Sequence, residues 1–300
     1  MSSTRHITTS FTYHRPETLD ETLSLLKEQI RTQVLAGGTD LLIQMRTGEK
    51  TPESVVEILH VEELKQIEYK NGIKIGAAVQ LYRLEDDARL AEEYPALHDA
   101  VKSIAGVQIR NMATLAGNLC NASPIADSAT PLMVYDAHIE ICWLDEKNNI
   151  CSQHVPIEEF FTGPGVTVLS QGQLLTAVHI PEPTPNSGSS FIKVCRVALD
   201  LAKISCAACL ERDGSTIQSV RIAVGGAAPT PVRVRSVEDE LSGKGFSVEE
   251  VEKASQTVVS SISPITDVRS TEDFRKDVAS VIVRDAVLHA WENSGGEAAI

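Results

Sequence analysis

The first sixty residues alternate short apolar runs with amphipathic segments, a pattern typical of strands that alternate with helices. Thr18 and Glu21 form a capping box, and leucines then recur at helical spacing to about residue 30. The other predicted elements are the strands Thr12–Arg15, Gln33–Leu35 and Glu53–Leu59 and a helix that starts with Leu41–Met45. This β-α-β-α-β order predicts a small α/β subdomain over residues 1–60.

Residues 61–180 carry a second set of patterns, in which hairpins flank a helical middle. Asn71-Gly72 between two strand-like runs is a strong hairpin signal. The predicted strands are Ile67–Tyr69, Ile73–Gly76, Ile139–Leu144, Ile150–Val155 and Leu174–Ile180, and the predicted helices are Leu81–Leu90, Pro95–Ile104 and Ser128–Tyr135. We therefore expect a second α/β subdomain over residues 61–180.

The segment 181–190, PEPTPNSGSS, has the composition of a linker. After it come predicted strands at Phe191–Arg196, Ile204–Glu211 and Ile217–Val224, and then predicted helices at Val237–Leu241, Val248–Ser260 and Thr271–Trp291. Strands followed by helices predict an antiparallel sheet with a helical layer over residues 191–293, followed by a tail at 294–300. The whole chain is assigned to the α+β class.

Composition narrows the range of functions. Three hundred residues, 42% of them hydrophobic, are enough for two ordinary domains with packed cores. The formal net charge of −14 argues against binding nucleic acid or an anionic membrane surface. No apolar run approaches the roughly 20 residues that span a bilayer, and residues 1–10 are too polar for a secretory signal. We expect a soluble, cytoplasmic protein without membrane insertion.

Cysteines and histidines give no sign of a metal site or a catalytic nucleophile. The six cysteines lack the spacing of a disulfide framework or an iron–sulfur site. Cys206 and Cys209 form a CxxC, but in a strand-like run they point to opposite faces, so two buried thiols are expected. Cys120 is expected to be a small packing residue. The eight histidines show no HxH or HxxxH spacing and no grouping with carboxylates, and no Ser-His-Asp motif is apparent.

Two stretches are rich in small and polar residues that suit an anionic ligand. Arg110–Met133, RNMATLAGNLCNASPIADSATPLM, interleaves small residues with amides and hydroxyls and contains one carboxylate, Asp127. Val34–Leu41, VLAGGTDL, places two glycines between a strand and a helix, where amides and the helix dipole suit a phosphate. By spacing alone, a tight turn and a self-packed irregular loop explain the two stretches equally well. Neither is a GxGxxG or phosphate-loop fingerprint.

Together the two stretches resemble the pyrophosphate-binding loops of the FAD-binding subunit of molybdenum hydroxylases, the family that includes xanthine, nicotinate and aerobic carbon monoxide dehydrogenases. In that family AGGTDL forms one loop and RNxxTxGGNxxxxxPxxD the other, and here Ala116 replaces the first glycine of the second loop. The resemblance continues in the segments Asp200–Ala202, Gly225–Arg233 and Asp267–Arg275, where Phe274 stands at a position more often occupied by tyrosine. It implies a PCMH-type FAD-binding domain over 1–180 and a carbon monoxide dehydrogenase flavoprotein-like domain over 191–293.

The resemblance also implies which residues bind FAD. The candidates are Leu35, Ala36, Gly37, Gly38, Thr39, Asp40, Leu41, Gly106, Thr114, Ala116, Gly117, Asn118, Asp127, Leu175, Lys193 and Leu201. Asp127 is expected to accept hydrogen bonds from paired ribose hydroxyls, with capping of the following helix as the alternative. Leu175 is expected near the adenine and Leu201 near the flavin ring, where ordinary core packing is the alternative. Asp40 is expected to cap or brace its loop, because a carboxylate repels phosphate.

The implied function is electron transfer without a catalytic side chain in this chain. Electrons are expected to reach FAD from a molybdenum-cofactor large subunit through a small subunit with [2Fe–2S] clusters, and to leave to NAD or another acceptor. The expected assembly is a heterotrimer or a dimer of heterotrimers. The first expectation for the enzyme type is a xanthine dehydrogenase, and the second is a dehydrogenase of nicotinate or another N-heterocycle. The alternatives are a stand-alone PCMH-type flavin oxidase, often with covalent flavin, and a non-enzymatic nucleotide-binding or assembly protein.

Overall fold

A parallel sheet organises the N-terminal part of the chain. The protein is described by a computed structural model over residues 6–297. The first elements are β1 Thr12–His14, α1 Leu19–Glu28, β2 Thr32–Leu35, α2 Leu41–Thr47 and β3 Ser54–Glu57. The strands pair in parallel in the order β1-β3-β2. The amide of Glu21 donates to Thr18 Oγ1 at 3.2 Å, which confirms the predicted cap of α1.

An antiparallel sheet and a group of short helices follow. After a 3₁₀ turn at Glu62–Leu64 the elements are β4 Ile67–Tyr69, β5 Ile73–Gly76, α3 Leu81–Glu85, α4 Ala88–Glu93, α5 Pro95–Ser103, α6 Val107–Arg110, α7 Leu115–Cys120, α8 Ala129–Val134, β6 His138–Leu144, β7 Ile150–Pro156, α9 Ile157–Phe160, β8 Phe161–Gly163, β9 Val166–Thr167 and β10 Leu174–Ile180. Five of these strands form one sheet in the order β4-β5-β10-β6-β7, with both predicted hairpins present. Asn71 and Gly72 take φ of 53° and 107°, as a tight hairpin turn requires.

The predicted helix Leu81–Leu90 is wrong as a single element. Helix α3 ends at Glu85 and α4 starts at Ala88. Between them the carboxylate of Asp87 accepts from the amides of Arg89 and Leu90, both at 3.0 Å, and so begins a new helix. Apolar spacing continued through the break, but a local side-chain cap competes with the continuous helix and prevails.

A second antiparallel sheet forms the C-terminal part. Its elements are β11 Ser187–Val194, β12 Ile204–Asp213, β13 Thr216–Gly225, β14 Val232–Arg233, α10 Arg235–Leu241, β15 Lys244–Gly245, α11 Val248–Ser255 and α12 Glu272–Asn293. The sheet order is β11-β12-β13-β14, and β15 pairs with β13. Helix α12 packs on one face of this sheet, while α5 and α8 pack on the other. The predicted helix Val248–Ser260 ends at Ser255 and continues as a 3₁₀ segment, Gln256–Ser261. The α+β class is thereby confirmed.

The segment 181–190, expected to be a linker, belongs partly to the sheet. Strand β11 begins at Ser187, which pairs with Glu211 on β12. Ser189 Oγ contacts the Tyr135 hydroxyl at 2.5 Å, and its carbonyl accepts from Asn293. A Cβ at Gly188 would lie 2.2 Å from the carbonyl oxygen of Ala290, so glycine allows α12 to cross β11 closely. Small residues that read as a loop are here the condition for close packing.

Cys206 and Cys209 are buried free thiols on opposite faces of β12, as predicted from strand periodicity. Cys206 packs in the core beneath α12, whereas Cys209 packs against the N-terminal part of the protein. Burial raises the pKa of both thiols, which keeps them protonated and unreactive. Within residues 6–297, no helix is both long and apolar enough to cross a membrane.

Candidate functional site

A cavity of about 850 Å³ is lined by residues of the N-terminal parallel sheet, of the two antiparallel sheets and of the helices between them. Its wall comes mainly from four segments, within residues 31–44, 104–127, 165–175 and 193–201. Cofactor sites occupy roughly 300–1,000 Å³, so the cavity can take a large organic ligand. Fourteen of the sixteen predicted site residues line it; the two that do not are Leu35, which belongs to β2, and Gly106, which precedes α6.

The two glycine-containing loops, about 75 residues apart in the chain, are in direct contact. Gly37 lies so close to the second loop that an added Cβ would be 2.0 Å from Met112 O and 2.7 Å from Ala113 Cα. Only a residue without a side chain permits this approach. Both loops face the same cavity, as the sequence comparison of their motifs implied.

The first loop presents a run of backbone amides. The N–H groups of residues 37–40 donate no hydrogen bond to any other residue of the described chain. The carbonyls of Gly38 and Asp40 are used by the first turn of α2. Gly38 has φ of +71°, a left-handed conformation that turns the loop between β2 and α2. Successive amides in such a turn, at the start of a helix, form a concavity suited to an anion.

The second loop is more structured than the sequence suggested, because it forms helix α7. The Thr114 hydroxyl accepts from the amide of Gly117 at 3.0 Å and caps this helix. Asn118 Oδ1 accepts from the Ser128 hydroxyl at 2.6 Å. The amide of Gly117, a predicted FAD-binding residue, therefore already has a partner within the loop. Ala116 is helical, so replacing the family's glycine there causes no backbone strain.

Asp127 and Lys193 form a buried ion pair in the wall of the cavity. Lys193 Nζ lies 2.7 Å from Asp127 Oδ2 and 2.9 Å from the carbonyl oxygen of Ser103. The other carboxylate oxygen, Asp127 Oδ1, is buried and has no hydrogen-bond partner in the structure. Burial raises the pKa of Asp127, and the charge of Lys193 offsets only part of that effect. A buried acceptor without a partner indicates a ligand that donates a hydrogen bond.

The structure also locates the predicted site residues Asp40, Leu175 and Leu201 and excludes one alternative role of Asp127. Asp40 occupies the cap position of α2, but its side chain makes no capping hydrogen bond, so the capping alternative is wrong. Asp127 does not cap α8, which was its alternative role. It precedes Ser128, the cap residue, and its carboxylate binds Lys193 instead. Leu175 is buried on β10 and forms part of the cavity wall. Leu201 is 50% exposed at the cavity, in the connection between β11 and β12.

Sequence reasoning missed the bracing role of Arg110, the first residue of the second loop. Its guanidinium is buried and binds both carboxylate oxygens of Glu85, at 2.7 and 2.9 Å. It also donates to the carbonyls of Ile104 and Ala105, two residues of the cavity wall. Ala105 has φ of +46°, so this clamp stabilises a backbone conformation unusual for alanine. The hydrogen bonds from Arg110 lower the pKa of Glu85, which keeps the pair charged. A single arginine beside a small-residue run was the available signal.

The segment Gly165–Leu175 was also missed, apart from Leu175 itself. It supplies a continuous part of the cavity wall between β9 and β10. The amide of Gly165 donates to the carbonyl of Ala122 at 2.9 Å, which joins this segment to the second loop. Its sequence contains no recognisable motif, and only the fold brings it to the site.

Comparison with known proteins agrees with this geometry. Residues 9–183 match the family described as FAD binding domain in molybdopterin dehydrogenase, and residues 189–290 match the CO dehydrogenase flavoprotein C-terminal domain. The chain therefore belongs to the family of FAD-binding medium subunits of molybdenum hydroxylases. The stated resemblance, the enzyme class of oxidoreductase flavoprotein subunits, and FAD as the cofactor of this chain are confirmed.

Three similar proteins illustrate the breadth of the family. The chain is 35% identical over 289 residues to the putative xanthine dehydrogenase FAD-binding subunit XdhB of Escherichia coli, covering 95% of this chain and 97% of that protein. It is 29% identical to the glyceraldehyde dehydrogenase medium chain of Sulfolobus acidocaldarius, covering 92% and 96%. A structure of carbon monoxide dehydrogenase from Hydrogenophaga pseudoflava superposes with a TM-score of 0.90 at 28% identity, covering 96% and 99%.

The residues present fit FAD. The unpaired amides of residues 37–40 suit a diphosphate, and the buried Asp127 Oδ1 suits a hydroxyl or amide donor. Apolar side chains such as Leu175 and Ile104 complete the wall for ring systems.

Proposed function

We propose that this chain holds FAD across the contact between its two loops and transfers electrons within a molybdenum hydroxylase complex. Two features on the same cavity carry the proposal. The backbone amides of residues 37–40 have no hydrogen-bond acceptor among the described residues, and the buried carboxylate oxygen Asp127 Oδ1 has no donor. The first group suits the diphosphate and the second suits a hydrogen-bond donor elsewhere in the cofactor. When bound, FAD supplies the ability to accept electrons singly or in pairs and to release them to an acceptor.

The chain's own residues position the cofactor and perform no acid–base step. The amides of residues 37–40 bind the diphosphate, and Arg110 keeps residues 104–105 in place beside it. Asp127 Oδ1 accepts a hydrogen bond from the cofactor, while Lys193 keeps this carboxyl oriented. Leu175 and Leu201 pack against its rings, near the adenine and the flavin respectively. Leu35 and Gly106 act through the backbone next to the wall.

In the proposed assembly this chain binds a small subunit with [2Fe–2S] clusters and a large subunit with the molybdenum cofactor, as a heterotrimer or a dimer of heterotrimers. The six cysteines of this chain are free and form no cluster-binding group among the residues described, so iron–sulfur centres belong to a partner. Leu199 and Leu201 line the cavity yet are 65% and 50% exposed. Apolar side chains in that position favour a partner subunit that covers them.

The substrate we propose is a purine of the xanthine type, with NAD as the final acceptor and the cytoplasm as the location. The support is the 35% identity to a xanthine dehydrogenase FAD-binding subunit, against 29% for a glyceraldehyde dehydrogenase medium chain. A nicotinate-type or other N-heterocycle is the second candidate.

Purification of the native complex tests the assignment. The expected preparation contains this chain with two partners, one FAD per copy of this chain, iron and molybdenum, and it reduces NAD with xanthine. A chain that purifies alone with FAD, without iron or molybdenum, would contradict the partner assignment. A complete complex that is inactive with xanthine but active with another heterocycle would contradict only the substrate.

FAD is expected to be bound without a covalent link. No histidine lines the cavity among the described residues, and Cys120 is the only cysteine that does. Precipitation of the protein with acid should therefore leave all the yellow flavin in the supernatant, and a Cys120→Ala variant should contain as much FAD as the wild type. Flavin that stays in the washed pellet would contradict this expectation and favour the covalent class of flavin oxidases.

A further inference from the structure

Three side chains that can bind a metal ion meet on the antiparallel sheet of the N-terminal part. Glu140 lies on β6 and His154 is directly opposite it on β7. His179 lies on β10, the other neighbour of β6, two residues beyond the partner of Glu140. One donor atom from each residue lies within 4.8 Å of the others. The absence of any grouping between histidines and carboxylates, expected from sequence spacing, is wrong here, because these three residues come from separate strands.

The three donors are close to the spacing of a metal site. His179 Nε2 lies 2.7 Å from Glu140 Oε2, and the rings of His154 and His179 are 4.7 Å apart between centroids. Zinc bound tetrahedrally at about 2.0–2.1 Å needs ligand atoms roughly 3.3 Å apart. Small side-chain rotations supply that spacing, because the three residues are partly exposed or exposed and the strands themselves need not move.

Lys74 is the group that competes with a metal ion. Its Nζ lies 3.1 Å from Glu140 Oε2, so an ammonium now satisfies part of the carboxylate. Lys74 is on β5 and its side chain is 36% exposed, which lets the ammonium turn to solvent. Thr176 donates to the other carboxylate oxygen, Oε1, at 2.8 Å and orients the group, as outer partners of metal ligands do.

We propose that Glu140, His154 and His179 form a binding site for a divalent transition-metal ion of the zinc type. Two imidazoles and one carboxylate are a ligand set that zinc uses with water in the fourth position. On binding, the metal takes the place of the direct hydrogen bond between His179 Nε2 and Glu140 Oε2, and the neutral imidazole carries its proton on Nδ1. None of the three residues lines the large cavity, so the site is separate from the one proposed for FAD. Its expected effect is to tie β7, β6 and β10 together.

Zinc binding by the full chain, purified without a histidine tag and loaded with FAD, tests this site. Competition with a chromogenic chelator at neutral pH is expected to give one zinc ion per chain, and zinc should raise the temperature of unfolding. The variants His154→Ala and His179→Ala are expected to weaken binding at least tenfold and to abolish the zinc-induced shift. Lys74→Met is expected to strengthen binding, because the competing ammonium is gone.

His289→Ala is the matched control, since His289 is an exposed histidine on α12 far along the chain from the cluster. It should bind zinc as the wild type does. FAD content should be unchanged in all the variants, and each should still unfold in one cooperative transition in chelator, which separates loss of the site from loss of the fold. Absence of stoichiometric zinc binding, or equal binding by wild type, His154→Ala and His179→Ala, would overturn the proposal.

Discussion

Gly37→Ala is expected to weaken FAD binding by about tenfold to a hundredfold. The added methyl group would lie 2.0 Å from the carbonyl oxygen of Met112, so one of the two loops must move away. Overpacking of this kind costs roughly 1–3 kcal/mol, and each 1.4 kcal/mol is about a factor of ten in affinity. FAD content after gel filtration and the dissociation constant from flavin fluorescence measure the effect.

Gly163→Ala is the matched control for this substitution. Gly163 also has an ordinary φ, but nothing lies within 4 Å of its added Cβ. Alanine there should leave FAD content and stability unchanged. Gly48→Ala adds a second comparison. Gly48 has φ of +76° and no atom within 4 Å of an added Cβ, so this variant measures the effect of backbone strain alone, without separation of the two loops. Full FAD retention by Gly37→Ala would mean that contact between the loops is not needed for binding.

Lys193→Met is expected to lower the free energy of unfolding by about 3–5 kcal/mol. Asp127 and Lys193 both have side chains only 7% exposed, so removing the lysine leaves a buried carboxylate without a counter-charge. The double variant Asp127→Asn/Lys193→Met should be more stable than Lys193→Met alone, because the uncompensated charge is removed. Denaturant titration of the FAD-free chains measures both. Equal stability of wild type and Lys193→Met would show that the pair contributes nothing.

The pH dependence of the same variant follows from the pKa of Asp127. Burial already raises this pKa in the folded protein, and the loss of Lys193 raises it further. A carboxyl with a raised pKa binds its proton more readily when folded, so it favours folding in acid and this contribution is lost as pH rises through the folded pKa. The deficit of Lys193→Met relative to wild type should therefore be largest at neutral pH and shrink as the pH is lowered toward the ordinary range of aspartate. A deficit that grows in acid would contradict this assignment.

The elements that are set by local signals were predictable from the sequence. The Thr18 cap, the Asn71-Gly72 hairpin and the position of the AGGTDL loop all depend on a few adjacent residues, and the structure has each of them. The residues that line the cavity were indicated mainly by the family motifs, since spacing alone left a plain turn as a full alternative. The direct contact of Gly37 with Met112 is what the motifs could not show by themselves.

The features that were missed depend on residues brought together by the fold. The wall segment 165–175 and the Glu140 cluster have no sequence motif, because their partners lie on other strands or loops. Ser187–Ser190 looked like linker because small residues are common in loops, yet these residues belong to β11, and Gly188 allows α12 to pack closely on that strand. Helix α7 was also missed, because a run of small residues did not reveal it; the predicted site residue Thr114 caps this helix and also lines the cavity.

A structure of the FAD-bound chain at high resolution tests the central claim most directly. It should show the diphosphate oxygens within hydrogen-bonding distance, about 2.7–3.2 Å, of amide nitrogens among residues 37–40, with the start of α7 alongside and Asp127 Oδ1 accepting from the cofactor. A diphosphate that touches neither loop, or a flavin bound outside this cavity, would contradict the account.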